Sequence, residues 1–120
     1  MNVESNINTK ADKVMDALLE LGIDAKNRGF MYIAYAEQLI LQDRSYMGSI
    51  TTALYIDIAS AFATSPCGVE RCIRTSIAGG WKVTPDDVKK KFFGNSIQLG
   101  KKVPTNAQFL LVLYYYITLH

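Results

Sequence analysis

The chain has 120 residues, 49% of them apolar and 20% charged, with three prolines, two cysteines and a formal net charge of +2. This is the make-up of one globular domain that can bury a core without staples, and it excludes a disordered chain, a collagen-like repeat or a disulfide framework. Whole-chain charge makes no case for nucleic acid, but the charges are segregated: residues 1–63 carry five Lys and Arg against eight Asp and Glu, and residues 64–102 carry eight against three.

Residues 1–8 are expected to be flexible, and the polar start from Met1 to Lys10 has no signal peptide, which points to a reducing cytoplasm. A first helix is predicted from about Thr9 to Leu21, where Val14, Leu18 and Leu21 recur at helical spacing and Gly22 supplies a left-handed stop. A second is predicted over Arg28 to Gln42, with Phe30, Ile33, Tyr35, Leu39 and Ile40 giving it two apolar sides. Ser49 stands where it can cap a short third helix through Tyr55, and Asp57 where it can start a fourth, ending at Ala63.

Ser65 before Pro66 is a cap followed by a first-turn residue. The helix it opens places Val69, Ile73, Ser76, Ile77 and Gly80 on one side, for a core. Arg71, Arg74, Thr75 and Ala78 project together from the other. Its end is expected near Gly79 and Gly80. Trp81 reads as a core anchor, since lone tryptophans usually bury.

Thr84, Pro85, Asp86 and Asp87 cap a short helix to about Phe93, a loop is expected from Gly94 to Lys102, and Pro104, Thr105 and Asn106 open a last helix from Ala107 to about Leu119. In that helix Phe109, Val112, Leu113 and Tyr116 are assigned to the core. Leu110, Leu111, Tyr114, Tyr115 and Ile117 are left as an apolar surplus, which marks either a homodimer contact or a fully buried helix. The run from Phe109 to Leu119 is too short to span a bilayer, so no membrane is expected. No stretch alternates with period two, and the prediction is all-α with six or seven helices and no β-sheet.

Cys67 and Cys72, five apart on one helix, point in different directions and read as packing residues, not a disulfide. The lone histidine is His120, and Gly79 and Gly80 lack a phosphate-loop pattern, so no metal, cofactor or enzymatic constellation is recognisable. What does stand out is a short helix, a polar turn and a longer helix with a small basic outer face, the outline of a helix-turn-helix.

Gly48-Ser49-Ile50-Thr51, Leu54 to Ala59, Val69-Glu70-Arg71-Cys72-Ile73-Arg74, Trp81, Phe93-Gly94 and Pro104-Thr105-Asn106 together resemble the DNA-binding effector domain of the sporulation master response regulator, the stage zero sporulation protein A family. The resemblance runs from about Val14 to about Leu113. It implies a six-helix bundle in which Asp57 to Ala63 supports a recognition helix, residues 65–78, that enters the major groove of promoter elements controlling the onset of sporulation. Ser65, Gly68, Glu70, Arg71, Arg74 and Thr75 then form the DNA-facing set.

A guanidinium such as that of Arg71 or Arg74 can donate two parallel bonds to a guanine edge or clamp a phosphate. The resemblance further implies binding to double-stranded DNA as a dimer, and a contact with the sigma subunit of RNA polymerase through Trp81, Val83, Asp86 and Asp87. Lys82, Lys89, Lys90 and Lys91 can instead track phosphates.

Three departures from the family stand out. Gly68 replaces an arginine, Thr75 a histidine, and nothing among Met1 to Lys13 can be the receiver domain that precedes this one in the family's full-length proteins. An excised domain and a stand-alone protein both fit. The alternative function is a protein-interaction module that has lost productive DNA contact and pairs with a full-length regulator or with polymerase.

Overall fold

The computed structural model describes residues 3–94 and 102–119, and among them every regular element is helical. In chain order these are α1 (Val3–Glu20), α2 (Arg28–Gln42), α3 (Tyr55–Ala61), α4 (Pro66–Val83), α5 (Asp86–Phe93) and α6 (Asn106–Leu119). A 3₁₀ turn, Arg44–Gly48, and a π-helical turn, Ile50–Leu54, link α2 to α3. The all-α expectation holds.

Several boundaries differ from expectation for local reasons. Helix α1 begins at Val3, six residues ahead of Thr9, because no Pro or Gly interrupts that polar stretch. Ser49 makes no side-chain cap on the turn that follows it; the 3₁₀ turn before it is capped by Asp43, whose carboxylate accepts from the Ser45 amide at 3.0 Å and the Ser45 hydroxyl at 2.7 Å. Asp57 lies in the first turn of α3, where it accepts from the Tyr46 hydroxyl. The third and fourth predicted helices are therefore one path: the π-helical turn runs straight into α3. Gly94 caps α5 with φ of 58°, and most of the loop expected from Gly94 to Lys102 falls outside the described residues.

The helix expected to stop at Gly79 and Gly80 continues to Val83. Gly80 is present for packing, not termination: a Cβ there would lie 2.7 Å from both the Leu21 carbonyl oxygen and the Ile23 side chain. The Thr84 hydroxyl sits 2.6 Å from the Leu21 carbonyl and 2.6 Å from the Gly80 carbonyl, tying the end of α4 to the end of α1. Further along, a Cβ on Gly29 would meet the Ser76 Oγ at 2.0 Å and the Cys72 carbonyl oxygen at 2.4 Å. Missing side chains at these two points let the α4 backbone press directly onto α2 and the α1 corner, and α4 packs most extensively against α2, then α3 and α6.

The predicted core side of α4 is buried throughout: Val69, Ile73, Ser76, Ile77 and Gly80. Trp81 is buried with them, its ring edge-on to Phe93 at 5.1 Å, and Phe93 stacks on toward Phe109.

Helix α6 corrects the sequence reading. Leu110, Tyr114 and Ile117, assigned to a surplus, are buried, while Val112 and Tyr116, assigned to the core, are half-buried. The helix contacts α1, α2, α4 and α5, so interior surrounds it on more sides than one stripe requires. Of the supposed contact surface Leu111 is half-buried and Tyr115 exposed. The fully buried reading is the nearer of the two.

One core residue is out of character. Glu37, in the middle of α2, is 1% exposed and neither carboxylate oxygen has a hydrogen-bond partner. Burial pushes its carboxyl well above the usual range, because the low-dielectric core disfavours the charged form.

Candidate nucleic-acid interface

The segment from α3 to α4 is built by local hydrogen bonding. The Phe62 amide donates to the Ile58 carbonyl and the Thr64 amide to the Ala59 carbonyl, which forces Ala63 into the left-handed region at φ 54°. Ser65 then leaves the turn extended, and its Oγ accepts from the Gly68 amide at 3.0 Å. The predicted cap is observed, with Pro66 at the first helical position. Gly68 closes around that cap: a Cβ there would lie 3.1 Å from the hydroxyls of both Ser65 and Thr64.

Because the opposite side of α4 is locked in the core, Arg71, Arg74, Thr75 and Ala78 are all exposed on one outward stripe. Their environments differ. Arg74 donates from Nε to Glu70 Oε1 at 2.9 Å and more loosely to Oε2 at 3.5 Å. This pair is solvated on both sides, worth at most about 1 kcal/mol, so Arg74 is oriented by Glu70 yet free to exchange it for another acceptor. Arg71 makes no ion pair among the described residues and borders a groove with Asn27, Arg28, Gly29, Cys72, Thr75 and Ser76.

On its other flank α4 borders a larger groove of about 550 Å³, formed with Thr51, Tyr55 and the start of α6. Here Asn106 holds three elements together: its Nδ2 donates to the Tyr55 hydroxyl at 3.0 Å and to the Glu70 carbonyl at 3.1 Å. Thr105 and Gln108 cap α6 reciprocally, the Gln108 amide donating to Thr105 Oγ1 and the Thr105 amide to Gln108 Oε1.

The residues grouped beyond α4 separate. Lys82 and Lys90 are exposed, whereas Lys89 is 6% exposed, its Nζ 4.9 Å above the Trp81 ring and 3.8 Å from Asp86. Lys91 pairs with Glu20 at 2.7 Å, a bond that raises its pKa. Helical geometry thus turns Lys89 inward, away from any phosphate track, whereas Lys82, Lys90 and Lys91 stay on the surface, Lys91 in a solvated pair that it can exchange as Arg74 can. Burial likewise removes Trp81 from the surface set, leaving Val83, Asp86 and Asp87 exposed.

Sequence reasoning missed Arg28 and Gly29, and it placed Asn106 at the start of the last helix without its cross-links. A lone glycine inside the helical pattern of α2 was the available signal for a close backbone approach. Nothing comparable announced the bonds of Asn106, whose partners lie 51 and 36 residues away.

An exposed basic helix face on a short supporting helix occurs in many DNA-binding domains, and the family match decides among them. Residues 14–117 match the family described as sporulation initiation factor Spo0A C terminal. The chain belongs to this family. It carries a Spo0A-type DNA-binding effector domain, whose members are regulatory domains and not a known enzyme family. The six helices fit this Spo0A domain, and none of those described is long and apolar enough to cross a membrane.

Proposed function

We propose that this chain reads promoter DNA by laying α4 in the major groove, with Arg71, Arg74 and Thr75 facing base edges and phosphates and Glu70 orienting Arg74. The observation that carries this reading is the outward stripe of α4: two guanidiniums and a threonine, exposed together on a helix whose other side is buried. Ser65 and Gly68 serve it by fixing where the helix starts, and Lys82 and Lys90 remain available for phosphates.

Two finer readings accompany it. Val83, Asp86 and Asp87, exposed where α4 meets α5, form the surface we assign to the sigma subunit of RNA polymerase. Pairing of two copies on tandem elements draws little support from α6, and the interaction-module alternative loses the same motive, since most of that helix is inside.

Fluorescence anisotropy on a duplex carrying the family's promoter element, beside a scrambled duplex, at two salt concentrations tests the proposal. Binding should prefer the element and weaken steeply with salt. Loss of one bidentate base contact costs about 1–3 kcal/mol, or about 5- to 150-fold, so an Arg71→Ala, Arg74→Ala double variant should lose the preference. Equal weak binding to both duplexes by the unmodified chain would sink it.

A further inference from the structure

The groove of about 260 Å³ where the first turn of α2 meets the outer side of α4 has a composition that the base-reading stripe does not account for. Its charged residues are Arg28 and Arg71, and no carboxylate lines it. Neither arginine is in an ion pair among the described residues. Two like charges at one junction without a counter-charge repel each other, a cost that an anion between them would remove.

Neutral donors converge on the same place. Helix α2 is 15 residues long and its first turn is uncapped: Asn27 makes no side-chain cap, so the Arg28 and Gly29 amides are left without a side-chain acceptor at the positive end of the helix. The contact between Gly29 and Ser76 brings that end directly against α4. Ser76 is 4% exposed, lines the groove, and its hydroxyl makes no hydrogen bond among the described residues. The hydroxyl opens on the groove instead of being sealed in the core, and it can donate to an acceptor placed there.

We infer that this junction is a binding site for one backbone phosphate of DNA, with Arg28 and the first turn of α2 as its donors and Arg71 at its rim. The inference rests on the major-groove reading, and it adds a residue outside the helix-turn-helix. A recognition helix inserted in the groove has a sugar-phosphate strand along each flank, and Arg28 lies on the flank beside Arg71 and Thr75. The site therefore sets register and affinity. It carries no sequence information.

The test is an anisotropy titration of the chain and of Arg28→Ala on the element and scrambled duplexes across a salt series. Arg28 is exposed, so the variant should melt with the unmodified chain. Its affinity should fall by about the same factor, roughly three- to tenfold, on both duplexes, and the slope of log affinity against log salt should become shallower by about 0.9, the value for one phosphate. Arg28→Lys should restore the slope.

A duplex with one neutral methylphosphonate linkage, moved along the flanking strand, should at one position weaken the unmodified chain and leave Arg28→Ala unaffected. Unchanged affinity and slope in Arg28→Ala would overturn the inference while leaving the major-groove reading intact. A loss confined to the element duplex would overturn it too, by making Arg28 a base reader. Failure of the unmodified chain to bind either duplex would instead overturn the major-groove reading, and this site with it.

Discussion

Glu37→Gln removes one ionisable group from the core while keeping its shape, and the consequence can be worked out from its surroundings. With both carboxylate oxygens buried and unpartnered, the native state holds the acid protonated, whereas the unfolded chain ionises it near the ordinary value of 4.5. Below 4.5 both states carry the proton and the group contributes nothing against stability. Above 4.5 the native state binds one more proton than the unfolded state, so stability falls by about 1.4 kcal/mol per pH unit until the native pKa is passed. For a domain of this size that slope corresponds to a melting temperature lower by about 5 °C per unit.

Thermal melts followed by circular dichroism from pH 4 to pH 8 isolate the effect as the difference between the two proteins. Other groups, including Asp43, whose lowered pKa makes its cap weaken as pH falls, titrate in both and cancel. The Glu37→Gln curve should diverge upward from the unmodified one above about pH 4.5. Two curves that stay parallel across the range would refute the reasoning, because they would require a native carboxylate that ionises as readily as an unfolded one.

Two further perturbations address how α4 is held and how it is entered. Gly29→Ala places a methyl group 2.0 Å from the Ser76 hydroxyl and 2.4 Å from a backbone carbonyl, so urea unfolding should show a loss of about 1–3 kcal/mol or more, with lower DNA affinity as α4 is displaced. Ala63→Gly relieves a left-handed backbone that costs a residue with a Cβ about 1–2 kcal/mol, less the glycine's own entropy, so the same assay should show a gain of up to about 1 kcal/mol. Destabilisation by the second change would mean that the turn carries no strain.

What the sequence discloses here follows how local the physics is. The cap at Ser65, the division of α4 into a core side and an outward stripe, and the stop at Gly22 depend on residues within a turn or two, and the structure reproduces them. The readings that failed needed distant partners. Gly79 and Gly80 resemble a terminus unless one knows that Leu21 and Ile23 lie against Gly80. Helix α6 looks too apolar for one buried face until α1, α2, α4 and α5 are all placed around it. Lys89 belongs to a basic run in the sequence and to the ring of Trp81 in space.

The anchoring of α4 also bears on how this domain meets an imperfect target. The helix is fastened at three stations along its length: the Glu70 carbonyl by Asn106, Ser76 by the bare backbone of Gly29, and Gly80 by Thr84 and the α1 corner. Rolling or sliding it would break all three at once. If α4 is the reader proposed above, a helix held at these three stations would not accommodate a mismatched site by re-seating itself, and the adjustment would fall on the side chains of its outer stripe and on the duplex. Discrimination would then extend to base steps the protein never touches, through how readily they bend.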